Sequence, residues 1–229
     1  MELQEIGHIY TDFSEKFGIP RQSGLVKGLK GRIVLKPEFR NTEILRGLDG
    51  YSYLWIIWGF SEVKREHWSA TVAPPRLGGK RKMGVFATRS PFRPNPIGLS
   101  SVKLECLTWD DTLGPVIDVS GIDMLDGTPI YDLKPYLPHV DSHPDARGGF
   151  AADVKAHTLS VCIADKFLQI IEPEERDNVI QLLEQDPRTA FIHDEERIWG
   201  IRYHGYNIRF QVCDDTLTVV EVMICESKV

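Results

Sequence analysis

The chain has 229 residues, 42% of them apolar and 26% charged, with a formal net charge of −6. This balance excludes a disordered or fibrous chain and leaves room for one large domain, or for a domain of about 150 residues and a small second one. The acidic charge argues against wrapping nucleic acid over the whole surface, but says nothing of a local basic face.

The N-terminus, "MELQEIGHIY", lacks the basic start and small-residue cleavage site of a secretory signal, so a cytoplasmic location is the default expectation. "GIPRQSG" follows as a Pro-Gly-rich turn that fixes Pro20, Arg21 and Gln22. Arg32–Leu35 reads as a strand. A short helix is expected over Asn41–Leu48, with Ile44, Leu45 and Leu48 on one side and Gly47 and Gly50 as stops. The run "YSYLWIIWGF" (Tyr51 to Phe60) is the longest strongly apolar stretch. It reads as a strand and has half the length a membrane helix needs, so no bilayer span is expected.

Next comes "APPRLGGKRKMG", which places Arg76, Lys80, Arg81 and Lys82 within seven residues. Such a cluster is either a solvated face or the footprint of a phosphate backbone. Strands are expected at Met83–Thr88, Leu99–Leu107, Val116–Asp123 and Val154–Val161. In the second of these, Val102, Leu104 and Cys106 alternate with Lys103 and Glu105. "DMLDGTPIYDLKPYLP" carries a tight Asp126-Gly127 turn with Thr128 and Pro129 behind it, a hairpin signal. His139 and His143 flank Asp141, but no further ligand stands at a recognisable spacing, and no metal is expected. The four cysteines, Cys106, Cys162, Cys213 and Cys225, form no CxxC pair and sit in apolar, strand-like surroundings, as buried free thiols would.

Many short strands without crossover helices predict a barrel or sandwich. The glycines of "RLGGKRKMG" supply no Rossmann unit, which needs strand, glycine turn and long helix in succession. Beyond residue 165 the pattern changes. "EPEERDNVIQLLEQDP" predicts one amphipathic helix, opened by Pro173 and stopped by Pro187, with Val179, Leu182 and Leu183 on its apolar face. Strands follow at Arg197–Tyr203 and Asn207–Val212, joined through "HGYN", and at Leu217–Cys225. The expected architecture is mostly β: a single-sheet barrel over 1–162 and a small α+β domain over 163–229.

The most informative stretch is "GVFATRSPFRPNPIGLSSV", residues 84 to 102. Its prolines fix their own φ and push Ser90, Arg93 and Asn95 into extended conformations. If the loop is extended, Arg89, Pro91, Arg93 and Asn95 share one side, whereas polyproline II scatters them. A loop already ordered loses little entropy when it grips a ligand.

This stretch, with "PRQSG" upstream and "DGTPIYDLKPYLP" downstream, resembles the TsaA-like family, whose bacterial members of this length are TrmO-type tRNA (adenine-N6)-methyltransferases. The resemblance covers roughly residues 3 to 160, and more weakly the C-terminal segment through "DPRTAF". It implies a single-sheet β-barrel, a homodimer with S-adenosylmethionine at its interface, and methylation of the exocyclic nitrogen of threonylcarbamoyladenosine just 3′ of the tRNA anticodon. On this chain it implies cofactor contacts from Pro20, Arg21 and Gln22, from Phe60 and Ser61, from Arg89 and Leu99, and from Asp126, Gly127, Thr128 and Pro129. Arg76, Lys80, Arg81, Lys82 and Arg93 are the expected tRNA contacts. The acceptor nitrogen belongs to a urea-like group with a delocalised lone pair, so a proton acceptor is needed, with Asp126, Tyr131 and His67 as unranked candidates. The rival readings are a non-enzymatic RNA-binding barrel and a small-molecule methyltransferase of the same fold.

Overall fold

Alternation along the chain shows how the sheet closes. In the strand Ile97–Asp110, Gly98, Ser100, Val102 and Leu104 face inward while Leu99, Lys103 and Glu105 face out. A computed structural model describes residues 2–62, 68–74, 81–153, 158–188 and 194–225. In chain order the strands are β1 (Gly7–Thr11), β2 (Lys30–Leu35), β3 (Tyr53–Gly59), β4 (Thr71–Val72), β5 (Met83–Gly84), β6 (Ile97–Asp110), β7 (Gly114–Ser120) and β8 (Thr128–Pro135). Two helical turns follow, α1 (Pro138–Asp141) and α2 (Phe150–Asp153), and then β9 (Ser160–Cys162), α3 (Asp165–Leu168), α4 (Arg176–Glu184), β10 (Trp199–Tyr203), β11 (Tyr206–Cys213) and β12 (Thr216–Ile224).

Six strands close an antiparallel barrel in the order β1-β2-β7-β6-β3-β8, and β8 returns to pair with β1. The chain is mostly β, as expected, with a second sheet in the order β10-β11-β12-β9. β10 and β11 meet as a hairpin through His204 (φ 48°) and Gly205 (φ 72°), the pair of left-handed residues that a two-residue turn requires. Among the described residues no helix is long and apolar enough to cross a membrane.

Several expectations are corrected. Asn41–Leu48 forms no α-helix but two 3-10 turns, Thr42–Leu45 and Leu48–Gly50, separated by Gly47 at φ +80°, which ends the first before a full turn of α-helix can build. Met83–Thr88 is a strand only at Met83–Gly84. Thr88 then folds back, its backbone N–H and hydroxyl both donating to the Val85 carbonyl, at 3.1 and 2.8 Å. The Asp126-Gly127 turn joins β7 to β8, which are not neighbours in the barrel, so it is no hairpin. Instead it is tied to β1: Thr11 N–H donates to Asp126 Oδ1 at 2.9 Å and Gly127 N–H to the Ile9 carbonyl at 2.9 Å.

Of the expected strand Val154–Val161, residues 154–157 lie outside the described ones, and Ser160–Cys162 pairs with β12 of the second sheet, not with the barrel. The four cysteines are free but not buried: Cys106, Cys162 and Cys213 are exposed and Cys225 is half-buried. For Cys106 the reason is an irregularity in register between Leu104 and Cys106, which turns the thiol off the inner face.

One apolar core runs through both sheets, from Ile9, Ile33, Ile56 and Ile117 inside the barrel to Val179 and Leu183 of α4 and to Ile208, Phe210 and Leu217. A buried polar knot crosses the same boundary. Glu175 accepts hydrogen bonds from the Tyr203 hydroxyl (2.6 Å) and Asn178 Nδ2 (2.8 Å), and Asn178 also reaches the Gly28 carbonyl at 3.4 Å. Gly28 carries no side chain because a Cβ there would overlap Asn178 Oδ1. Burial alone would raise the Glu175 carboxyl, but the hydrogen bonds from Tyr203 and Asn178, with the nearby His204, outweigh it and hold the group below its ordinary value.

Stability from Glu175 is therefore fully present above the ordinary glutamate pKa of about 4.3 and is lost as pH falls through the lower native value. Tyr203→Phe leaves that carboxylate short of a donor, and urea unfolding at pH 7 should show a loss of about 1–3 kcal/mol. The difference from wild type should shrink in acid, once Glu175 is protonated in both.

Candidate functional site

The proline loop settles its own geometry once it is placed between β5 and β6. Arg93 N–H donates to the Pro91 carbonyl and Ile97 N–H to that of Asn95, and the loop is pinned to the end of β3 where Phe60 N–H donates to the Pro96 carbonyl at 3.0 Å. Arg89, Pro91, Phe92, Arg93, Asn95 and Ile97 all line one cavity of about 900 Å³, while Ser90, Pro94 and Pro96 do not. The loop is thus a run of bends that brings Arg89, Pro91, Arg93 and Asn95 to one cavity, and because Phe92 reaches it too the chain is not strictly alternating.

Beside that loop stands the turn Pro20, Arg21 and Gln22, which lines the same cavity. The Arg89 guanidinium donates to the Gln22 side chain, so two loops distant in sequence are joined at the cavity. Phe60, Ser61 and Leu99 line the same cavity from the end of β3 and the start of β6. Thr128 enters from β8, and its hydroxyl donates to the Leu125 carbonyl at 2.7 Å. Asp126, Gly127 and Pro129 do not line the cavity, since the turn is drawn back by its bonds to β1. Tyr131 also stays behind the wall: a Cβ on Gly59 would lie 2.5 Å from its hydroxyl, so the ring lies against the Gly59 backbone that does line the cavity.

Of the expected basic contacts, Arg93 lies in the cavity wall, with a guanidinium N–H on the Thr88 carbonyl at 3.1 Å. Arg81 and Lys82 are exposed. Arg76, Lys80 and His67 lie outside the described residues. The Asp141 carboxylate between the two loop histidines accepts from Trp55 Nε1 and Leu137 N–H, both at 2.9 Å. Among the described residues no three His, Cys, Asp or Glu side chains converge as a metal site would require.

Apolar walls with few polar groups, among them several cations, suit a molecule that carries both a flat apolar part and an anionic end, and the volume falls in the range of small-ligand sites. Residues 8–142 match the tRNA-methyltransferase O N-terminal domain, and residues 157–224 match the TrmO C-terminal domain. The chain belongs to the TrmO family. It is 40% identical over 222 residues to the tRNA (adenine(37)-N6)-methyltransferase of Escherichia coli, covering 93% of this chain and 94% of that one. It is 36% identical over 244 residues to a Pseudomonas aeruginosa protein provisionally described as an S-adenosylmethionine-dependent methyltransferase, with 96% of each chain covered. The crystal structure of TrmO from Pseudomonas aeruginosa superposes with a TM-score of 0.74 at 31% identity, over 97% of this chain and 98% of that one.

Among the residues of this TrmO cavity that sequence reading missed, with Lys16, Trp58 and Glu62, is Asp123. Asp123 stands in its wall just beyond β7, its Oδ1 accepting the Ser100 hydroxyl at 2.6 Å, and Ser100 Oγ in turn accepts Trp58 Nε1–H at 2.9 Å. Burial pushes the Asp123 carboxyl above its ordinary value, outweighing the hydrogen bonds from Ser100 and backbone N–H groups and the nearby charge of Arg89. In sequence Asp123 is one more polar residue at the end of a strand. The signal that could have found it was the alternation in β6, which turns Ser100 inward among apolar residues and so demands a partner for it.

Between the ordinary aspartate pKa of about 3.9 and the raised native value, the native state binds more protons than the unfolded chain, so wild-type stability falls as pH rises through that window. Asp123→Asn removes this decline. Melting curves from about pH 3.5 to 8 should show the variant gaining on wild type as pH increases, with no further gain once Asp123 is ionised.

Proposed function

We propose that this chain is an S-adenosylmethionine-dependent methyltransferase acting on N6 of adenosine 37 in tRNA, and that the adenosine it takes carries a threonylcarbamoyl group. The observation that carries this reading is the convergence of the proline loop, through Arg89, Arg93 and Asn95, with Pro20, Arg21 and Gln22 on one cavity. Support comes from the near-full-length likeness to the tRNA (adenine(37)-N6)-methyltransferase of Escherichia coli.

Bound S-adenosylmethionine would supply an activated methyl group on a sulfonium. Arg89, steadied by Gln22, is suited to hold its carboxylate, with Arg21 on the same wall. Phe60, Leu99 and the Trp58 indole offer the apolar walls for adenine, with Pro20, Ser61 and Thr128 around them. The Asp126-Gly127 turn and Pro129 act from behind, holding Thr128 in place. Alignment of nucleophile and methyl carbon is worth up to roughly 7–11 kcal/mol, against about 3–5.5 kcal/mol for a general base. Stiff loops therefore serve this reaction more than any single acid or base.

The same reading includes a homodimer, a cytoplasmic location and a division of labour along the chain. Leu99 lines the cavity yet is 54% exposed, an apolar side chain at the mouth that a second copy would cover. The barrel unit holds the cofactor and is better ended before Ser160 than after residue 162, because β9 belongs to the second sheet. Arg81, Lys82 and Arg93, with Arg76 and Lys80, are proposed to meet tRNA.

The deciding test is incubation with tRNA bearing threonylcarbamoyladenosine and labelled S-adenosylmethionine, followed by nucleoside mass spectrometry. A methyl group on that nucleoside is expected; no retention of the cofactor would favour a non-enzymatic RNA-binding barrel, and retention without transfer to tRNA a small-molecule methyltransferase of the same fold. Arg89→Ala should weaken cofactor binding by about 2–5 kcal/mol in calorimetric titration while the melting temperature stays the same. Reversing two charges together, Arg81→Glu and Lys82→Glu, should weaken tRNA binding and flatten its salt dependence by about 0.7–0.9 in slope for each phosphate the variant no longer neutralises. An unchanged slope would move the RNA surface elsewhere.

A further inference from the structure

Among the described residues two carboxylates line the cavity, and their surroundings differ. Glu62 is exposed at the rim and ion-paired with Lys16 at 3.4 Å. Asp123 is half-buried, and its bonds run to the Ser100 hydroxyl and to backbone N–H groups, Ser23 among them, with no salt bridge to any described residue. Of the other candidate proton acceptors, Asp126 accepts from Thr11 N–H, Tyr131 lies behind Gly59 and neither lines the cavity, while His67 lies outside the described residues.

The geometry points to Asp123 as the proton acceptor for the methylated nitrogen, with Ser100 and Trp58 as the positioning residues that hold its carboxylate. This rests on the reading of the chain as a tRNA N6-methyltransferase. In the step, the N6 lone pair forms the new N–C bond as the C–S bond breaks and its electron pair returns to sulfur, leaving a neutral thioether. The N6 proton passes to the Asp123 carboxylate, which becomes a neutral acid and later releases the proton to water. Charge is conserved, because one sulfonium and one carboxylate become two neutral groups.

Three features suit Asp123 to this. Ser100 and the backbone N–H groups of Ser23 and Asp123 fill three of the roughly four acceptor sites of an ionised carboxylate, which leaves room for one substrate N–H. Trp58 Nε1–H occupies a lone pair of Ser100 and orients its hydroxyl toward Oδ1. Burial makes the carboxylate more basic than one in water, which brings it closer to the strength a general base needs. Among the described residues the charged groups sharing its cavity are Lys16, Arg21, Arg89 and Arg93, with Glu62 at the rim, and the charge of Arg89 lowers the Asp123 pKa.

The test uses the full chain with tRNA bearing threonylcarbamoyladenosine, under single turnover with saturating S-adenosylmethionine. Wild type should show a rate that rises with pH through one ionisation and then levels. Asp123→Asn should lower the plateau rate by about 10²- to 10⁴-fold and abolish that ionisation, while cofactor affinity by calorimetry stays within about threefold of wild type. Ser100→Ala removes a bond that both stabilises and orients the carboxylate, so its acid limb should move to higher pH and its plateau should fall, though by less than in Asp123→Asn. Wild-type rates in Asp123→Asn, a large loss of its cofactor affinity with normal turnover, or an acid limb unmoved in Ser100→Ala would each overturn the assignment. If wild type itself transfers no methyl group, the methyltransferase reading fails instead.

Discussion

The Trp58 indole lies directly on Gly98, and the site is built outward from that contact. β3 and β6 pair with Trp58 opposite Gly98, where any Cβ would overlap the ring. With the ring pressed flat there, its Nε1–H reaches Ser100, two residues along the same inner face, and Ser100 reaches Asp123. Phe60 packs tilted against the indole, with ring centroids 4.4 Å apart, and its backbone N–H catches the proline loop at Pro96. A single missing side chain thus sets the cavity wall, the buried carboxylate and the anchor of the stiff loop.

The second sheet contributes to the same site from a distance. Phe13 and Phe17, in the segment after β1, pack against Tyr203 and Trp199 of β10. That segment leads into the turn carrying Pro20, Arg21 and Gln22, and Arg21 reaches across to the Asp186 carbonyl at 3.5 Å. The turn is closed on its other side where Gly24 N–H donates to the Gly121 carbonyl at 2.8 Å. Loops that would be mobile on an isolated barrel are therefore held by apolar burial on one flank and backbone pairing on the other. Such holding is what a preorganised ligand site requires.

Charge is distributed against the mean. The chain carries a net −6, yet Lys16, Arg21, Arg89 and Arg93 line one cavity. A concave, partly apolar surface strengthens the field of such a group, so local rather than net charge governs which ligands are drawn in. Placing a partly desolvated carboxylate among those cations costs stability, a trade that functional sites commonly make.

Much of this was legible in the sequence, and for local reasons. A continuous apolar run identified the barrel strand around Tyr53–Gly59, period-two alternation the one around Ile97–Asp110, and Val179, Leu182 and Leu183 the face of α4, because each pattern is a property of one segment. Proline fixes φ wherever it stands, so the stiffness of residues 91 to 96 needed no structure either. Tertiary structure alone decided which strands became neighbours. It returned β8 to β1, sent Ser160–Cys162 to the second sheet, drew the Asp126 turn away from the cavity and brought Asp123 into it. Those outcomes depend on hydrogen bonds between residues far apart in the chain, such as Thr11 with Asp126, and on desolvation, which no single segment carries.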